Sequence, residues 1–340
     1  MNLWAYLIRR LLLSVFVLVG LSILIFVISR VVPGDPVRMA LGPRAPQYAV
    51  DSLRREMHLD KPLPAQYYYW VKGVLTGDMG MSLTTKRPVT QDIREFLPAT
   101  LELALAAGLI MVVFSIFFGT LAARYRDTVI DGAIRVMAYT GVAVPSFVLA
   151  VLFLLFFGYI WPVIPVLGRL SPGVAPPPAI TGLITVDSLL TGNFAAFSDA
   201  LKHLLLPAVA LAVGGLFQEA RIVRSAMTDN MGKDYLAAAA GYGVPGRVVL
   251  FKYLLKPSLI PAVSVMGLDI ASLMSNAFLV EVIFNWPGIS RYGMTAMLQK
   301  DLNAISAVII IFGLIFVLVN ILVDFVVSFL DPRIRLGGRA

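Results

Sequence analysis

At 340 residues, with 59% hydrophobic and only 14% charged side chains and a mean hydropathy of +0.84, the sequence excludes an ordinary soluble domain and points to an all-α polytopic membrane protein. Lys and Arg number 28 against 20 Asp and Glu, an excess that in so apolar a chain belongs to cytoplasmic loops rather than to nucleic-acid binding. With no cysteine and two isolated histidines, His58 and His203, disulfides, thiol catalysis and a histidine metal pair are excluded, and no metal site is expected.

The first apolar run, Leu11 to Val32, follows Arg9 and Arg10 as a signal peptide would. It is about 22 residues long, enough to span, and no small-x-small cleavage site precedes the "PGDP" that follows it, so residues 1–32 read as an N-terminal end and a retained first span. Residues 33–98 are polar enough to form an aqueous domain with short helices of its own, such as "APQYAVDSLRREMHL" and "PAQYYYWVKGVL". The aromatic run Gln66–Trp70 within it suits membrane-interface anchoring, with ligand gripping as the alternative. Five more apolar runs, at 99–123, 136–160, 203–224, 258–282 and 303–330, bring the expected spans to six and form a core over 99–340.

Basic residues orient these spans. Arg9, Arg10, Arg124, Arg126, Arg135, Arg221 and Arg224, with Lys233, Arg247, Lys252, Lys256 and the C-terminal Arg333, Arg335 and Arg339, fall on one side; Arg30, Arg169, Lys202, Arg291 and Lys300 fall on the other. The imbalance predicts both termini in the cytoplasm, the 33–98 domain and the 161–202 loop outside, and the 225–257 segment inside.

That inner segment carries "KDYLAAAAGYGVPGRVVLFKYLLK" from Lys233. Asp234 to Ala240 favours helix, Gly243 can take the left-handed conformation that ends one, and Pro245 suits the first turn of the next. A helix, a sharp turn and a second helix are expected to project into the cytoplasm. Small side chains on the first helix permit close approach by another surface, while Lys233, Arg247 and Lys252 could meet acidic groups on it; the alternative is a solvated loop whose charges only set topology. Gly241, Gly243 and Gly246 also satisfy G-x-G-x-x-G, but an Ala-rich helix precedes them where a dinucleotide site needs a strand, and the next acidic residue, Asp269, lies within a span.

Ionisable groups within spans mark pathways or partners. Asp269 in "VMGLDIASLMSN" stands three, six and seven residues from Ser272, Ser275 and Asn276, which gives the fifth span one polar face. This face reads either as a hydrated path offering an anion to a cationic cargo group, or as a hydrogen-bonded helix seam. Glu102, Asp324, and Glu219 with Arg221 read as structural or boundary charges. "FNWPGI", with Trp286 and Pro287, follows the fifth span on the outer side as an interface anchor or a short external gate.

Seven stretches spread over nearly the whole chain, "RVVPGDPV", "LDKPLPAQYYYWVKGVLTGDMGMSL", "LPATLELALAAGL", "VPSF", "HLLLPAVALA", "VEVIFNWPGI" and "LDPRIR", resemble, in order, the recurrent segments of the dipeptide/oligopeptide/nickel permease family of ATP-binding-cassette importers. The 233–261 stretch resembles that family's cytoplasmic coupling loop, in which E-A-A is followed by three residues and a glycine. With Gly243 at the glycine, Ala237, Ala238 and Ala239 fall on E-A-A, so the acidic first residue is absent. "LIP" at 259–261 resembles the peptide-permease ending. The resemblance implies six helices, a large external loop domain between the first and second, and a coupling helix between the fourth and fifth. It also implies an inner-membrane permease with a second homologous permease, two cytoplasmic ATPase subunits and an extracytoplasmic substrate-binding protein. The chain itself would bind no cofactor, with ATP and Mg on the ATPase partners. The absence of G-x-x-x-x-G-K-[ST] from the sequence agrees with that division of labour.

The cargo implied is di- or oligopeptides, with nickel or short oligosaccharides as alternatives. An ion-coupled secondary transporter would carry polar groups in broken spans and often an inverted repeat, and no repeat is visible. A membrane enzyme would need a catalytic set, and no Ser-His-Asp or H-E-x-x-H arrangement is present.

Overall fold

The computed structural model describes residues 3–31, 36–42 and 44–330. The C-terminal "LDPRIR" beyond Leu330, with Arg333, Arg335 and Arg339, and the "VPGD" after the first span lie outside the described residues.

Among the described residues every named element is a helix, and an isolated antiparallel bridge, Met81 to Pro88, supplies the extended pairing. Helix α1 (Leu3–Val31) is followed by three short helices, α2 (Pro36–Leu41), α3 (Gln47–Glu56) and α4 (Leu63–Thr76). Only 11% of the most apolar window of α1, Leu11–Ile28, is buried within the protein. A helix apolar on all sides that finds so little protein to cover it is suited to lipid. What packing it has comes partly from α4, where the Tyr67 and Trp70 rings lie 5.3 and 5.9 Å from that of Phe26, and the Tyr67 and Ser22 hydroxyls share a hydrogen bond of 2.7 Å. Part of the aromatic run thus fastens α4 to the first span, Gln66 turns inward to donate to the Leu59 and Lys61 carbonyls, and Tyr68 remains exposed.

Helix α5 (Val89–Arg124) begins ten residues before the expected start of the second span at 99 and runs through Pro98. Proline costs a helix one hydrogen bond and a steric clash, and the expected boundary marked only where the apolar run begins. The first turns instead hold through their own polar contacts: buried Asp92 accepts from the Thr85 hydroxyl at 2.6 Å and pairs with Arg87.

The third expected span, 136–160, is not one straight helix. Helix α6 (Val129–Ala143) and helix α7 (Ser146–Leu155, widening into a π turn over Phe156–Ile160) meet at 99° across Val144 and Pro145. The residue before a proline is pushed out of the helical region, and Val144 is extended at φ −88°, ψ 117°. The bend is the structural meaning of "VPSF".

After α8 (Ile184–Leu190), helix α9 (Phe194–Met231) runs 38 residues, about 57 Å at 1.5 Å per residue and well beyond a hydrocarbon core of about 30 Å. It therefore extends past the expected 203–224 at both ends, and neither Pro207 nor Gly214–Gly215 interrupts it. Helices α5 and α9 form the central pair because small residues let their backbones approach: a Cβ on Gly119 would lie 2.6 Å from Val223 Cβ and 2.7 Å from the Ala220 carbonyl oxygen.

Helix α10 (Asp234–Gly241), the short α11 (Gly246–Val248) and a π-helical stretch, Val249–Leu255, lead into α12 (Lys256–Asn276). The fifth span was expected to continue to 282, but helix breaks at Ala277 before α13 (Phe278–Ile283). Helices α14 (Ile289–Leu298) and α15 (Leu302–Leu330) complete the chain. Among the described residues five helices are long and apolar enough to cross a membrane, and the bent α6–α7 pair, taken as one span, raises the number to six.

The core joins Leu103, Ala107 and Met111 of α5, Ala208, Ala212 and Leu216 of α9, Leu273 and Met274 of α12, and Trp286. Over one end of it the 161–193 loop is tied down by two acids. Glu102 pairs with Arg169 and accepts from the Thr185 backbone and hydroxyl, each at 2.7 Å. Burial opposes the charge on Asp187, but the Thr181 hydroxyl and the N–H groups of Thr181, Gly182 and Ile180 outweigh it and hold the carboxyl below its ordinary pKa.

Candidate translocation face and coupling loop

The segment after α9 forms the expected helix, turn and helix. Asp234 lies in the first turn of α10, where its charge suits the helix dipole. Leu236 is the anchor: it is buried in a cluster with Ala123, Val223, Met227, Leu254 and Met266. The α10 helix closes as Gly243 enters the left-handed region at φ +74°, letting the Gly243 and Val244 N–H groups donate to the Ala240 and Ala239 carbonyls at 3.0 and 3.1 Å. Space is not the reason for glycine, because a Cβ at 243 would meet nothing within 4 Å. Conformation is. Pro245 takes the N-cap position of α11 rather than its interior, at φ −55°, ψ 135°.

Ala237, Ala238, Gly243, Pro245 and Arg247 are exposed, and Ala239 is half-buried. The sequence reading missed the loop's large apolar groups: Tyr242, 90% exposed at the turn, and Phe251, 57% exposed beyond it. A tyrosine beside a glycine suited to the left-handed turn and a phenylalanine next to Lys252 were the signals available. The result is an apolar knob ringed by Lys233, Arg247 and Lys252.

On α12, Asp269 is half-buried, Ser272 is half-buried, and Ser275 and Asn276 are exposed. Only Asp269 has a hydrogen bond reaching another helix, accepted from Gln218 Nε2 of α9 at 3.4 Å. Ser272 spends its hydroxyl on the Asp269 carbonyl at 2.8 Å, within its own helix. The four residues therefore share a helix but do not form one connected polar cluster.

Glu219, expected to be a structural or boundary charge, is fully buried, and among the described residues no N–H or basic donor reaches its carboxyl. It lies beside the carboxyl of Asp269. The sequence signal was present, an acid one turn from Gly215 in a small-residue span, but nothing in spacing along one helix reveals which residue of another will face it. Arg224 pairs with both oxygens of Asp131 on α6, at 2.6 and 2.8 Å.

Trp286 and Pro287 separate in the structure. Trp286 is 1% exposed and donates its indole N–H to the Ala99 carbonyl at 2.8 Å, so it is not an anchor at a membrane interface, whereas Pro287 is exposed. Around them Thr100 donates to Glu281 at 2.5 Å and accepts from the Ile289 N–H at 2.8 Å, while the Arg291 N–H donates to Glu281 at 2.7 Å. This turn is riveted to the start of the second span.

Helices of this length and apolarity, with a polar face on one span and an exposed apolar knob between two others, define a multi-pass membrane protein of the transport type. Residues 115–336 match the family described as binding-protein-dependent transport system inner membrane component, and residues 3–104 match its N-terminal family. The chain is 38% identical to the probable D,D-dipeptide transport system permease protein of Escherichia coli K12, over 99% of each. It is 35% identical to the dipeptide transport system permease protein of Alkalihalophilus pseudofirmus and 34% identical to the oligopeptide transport system permease protein of Bacillus subtilis, each over 97% of this chain and 99% of the relative. The chain belongs to the binding-protein-dependent transport system inner membrane components.

Proposed function

We propose that this chain is one of two homologous permease subunits of an ATP-binding-cassette importer that admits di- or oligopeptides across the cell's inner membrane. The observation carrying the cargo is similarity along nearly the whole chain to permeases named for dipeptide and oligopeptide transport. In this reading both termini and the 225–257 segment are cytoplasmic, residues 33–98 and 161–202 lie outside, and a substrate-binding protein delivers cargo there. The exposed knob, with Ala237, Ala238, Ala239, Gly243, Pro245 and Arg247, docks on a cytoplasmic ATPase subunit, to whose pair ATP and Mg belong. Its exposed apolar side chains supply contact area and its basic rim meets acidic groups. Asp269, Ser272, Ser275 and Asn276 border the path, and the Trp286–Pro287 turn is the fixed base of the external closure.

The test is co-expression with the neighbouring transport genes, purification of what co-elutes, and uptake of labelled dialanine into proteoliposomes. Two ATPase subunits, a second permease and ATP-dependent uptake are expected. A chain that elutes alone, or a flux indifferent to ATP, would refute the proposal.

A further inference from the structure

Between α6 and α9 lies a cavity of about 590 Å³ lined by Arg135, Tyr139, Gln218, Arg221, Arg224 and Ser225, among others, a size within the range of small-molecule sites. Its three guanidinium groups are not equivalent. Arg224 is neutralised by its two bonds to Asp131, and Arg135 leans on the same carboxylate at 3.7 Å. Among the described residues no carboxylate lies within ion-pair distance of Arg221, whose guanidinium is instead held over the Tyr139 ring at 5.3 Å. Stacking fixes the plane of the group and leaves its N–H fork open to an incoming carboxylate or similar planar anion.

The opposite charge is one turn away. Gln218, three residues before Arg221 and so about 4.5 Å along the helix axis, lines the cavity and also reaches Asp269. Behind Asp269 stands Glu219, fully buried, whose carboxyl has that of Asp269 as its neighbour and, among the described residues, no N–H or basic donor. Two carboxyls side by side, one of them fully buried, can be satisfied only by sharing a proton, an arrangement that a cationic donor would relieve. The cavity thus has an uncommitted cation in its lining and, one hydrogen bond beyond Gln218, an acid pair. An extended dipeptide, at most about 7 Å from end to end, carries a carboxylate and an ammonium at its two ends.

We propose that this cavity is a dipolar subsite for a short zwitterionic peptide in transit, its terminal carboxylate on Arg221 and its ammonium directed to the Asp269–Glu219 pair. The subsite rests on the reading of the chain as a peptide permease and adds to it the groups that hold the two termini. Gln218, bonded to Asp269 and lining the same cavity as Arg221, stands between the two.

The experiment compares uptake of labelled dialanine per ATP hydrolysed in proteoliposomes containing the complete complex with wild-type, R221Q, R221K or S225E permease. Loss of a charge-assisted bond predicts a fall of about tenfold or more for R221Q. R221K keeps the cation but loses the planar fork, and should fall between wild type and R221Q. S225E sets a carboxylate one turn from Arg221, competes for its guanidinium, and should fall as far as R221Q. Uptake per ATP unchanged in R221Q overturns the subsite and leaves the peptide-importer reading standing. Should R221Q fail to co-purify with its partners, S225E decides: an assembled S225E complex with wild-type uptake overturns the subsite. A wild-type complex that couples ATP hydrolysis to another cargo and carries no dipeptide overturns both readings.

Discussion

Replacing Gly243 by valine isolates the turn of the knob from everything else in the protein. Because an added Cβ would meet nothing within 4 Å, no clash contributes, and the whole cost is that of holding an L-residue at φ +74°. That cost is about 1 to 2 kcal/mol for an ordinary side chain and nearer 3 for a β-branched one. At 1.4 kcal/mol per factor of ten, the population of the closed turn relative to an opened one falls about 10- to 100-fold. What opens is the pair of bonds from Gly243 and Val244 to Ala240 and Ala239, and with them the presentation of Tyr242. The assay is the ratio of peptide uptake to ATP hydrolysis in the reconstituted complex, with hydrogen exchange over residues 240–248 as the structural readout. Gly243→Val should lower the ratio and accelerate exchange. Gly243→Asn should restore much of both, since asparagine tolerates the left-handed region. Normal coupling together with fast exchange in Gly243→Val would refute the link between turn geometry and docking.

Other outcomes follow from particular contacts. Trp286→Phe keeps the ring but leaves the Ala99 carbonyl without its indole donor, and should cost about 1 to 3 kcal/mol, read as a lower melting temperature in detergent. Gly119→Ala drives a Cβ into Val223 and the Ala220 carbonyl and should cost about 1 to 3 kcal/mol by overpacking the α5–α9 pair, seen as reduced yield and thermal stability. Asp187, with its pKa lowered in the fold, stabilises the 161–193 loop fully above its unfolded pKa of about 3.9 and loses that contribution as pH falls through the folded value. Proteolysis of this loop should therefore accelerate below about pH 4 in the wild type. Asp187→Asn should be cleaved faster already at neutral pH, because one acceptor oxygen becomes a donor facing backbone N–H groups; equal cleavage rates at pH 7 would contradict this.

Apolar run length carried most of the architecture to the reader of the sequence, since a span must be long and apolar whatever its neighbours. Gly243 was legible for the same kind of reason: the need for a positive φ is local. Proline was ambiguous. Pro98 and Pro207 sit inside continuous helices, and Pro145 turns the chain by 99°, and only the surrounding contacts decide which. The burial of Glu219 was hidden because its neighbour Asp269 is 50 residues away on another helix, and that of Trp286 because an aromatic at the end of a span looks the same whether it faces lipid or a backbone carbonyl. Pairings between helices are three-dimensional facts that periodicity along one helix does not encode.

From Gly246 to Asn276 the chain is one helical rod of 31 residues, with the exposed knob at one end and Asp269 about 35 Å along it. Such a rod behaves as a lever. A tilt of about 10° pivoting near the knob would sweep Asp269 through about 6 Å at that radius, more than the reach of its bond to Gln218. The π-helical stretch Val249–Leu255 lies close to that pivot, where helical bonding is loosest, so the compliance of the lever is placed at its fulcrum and its stiffness along the arm.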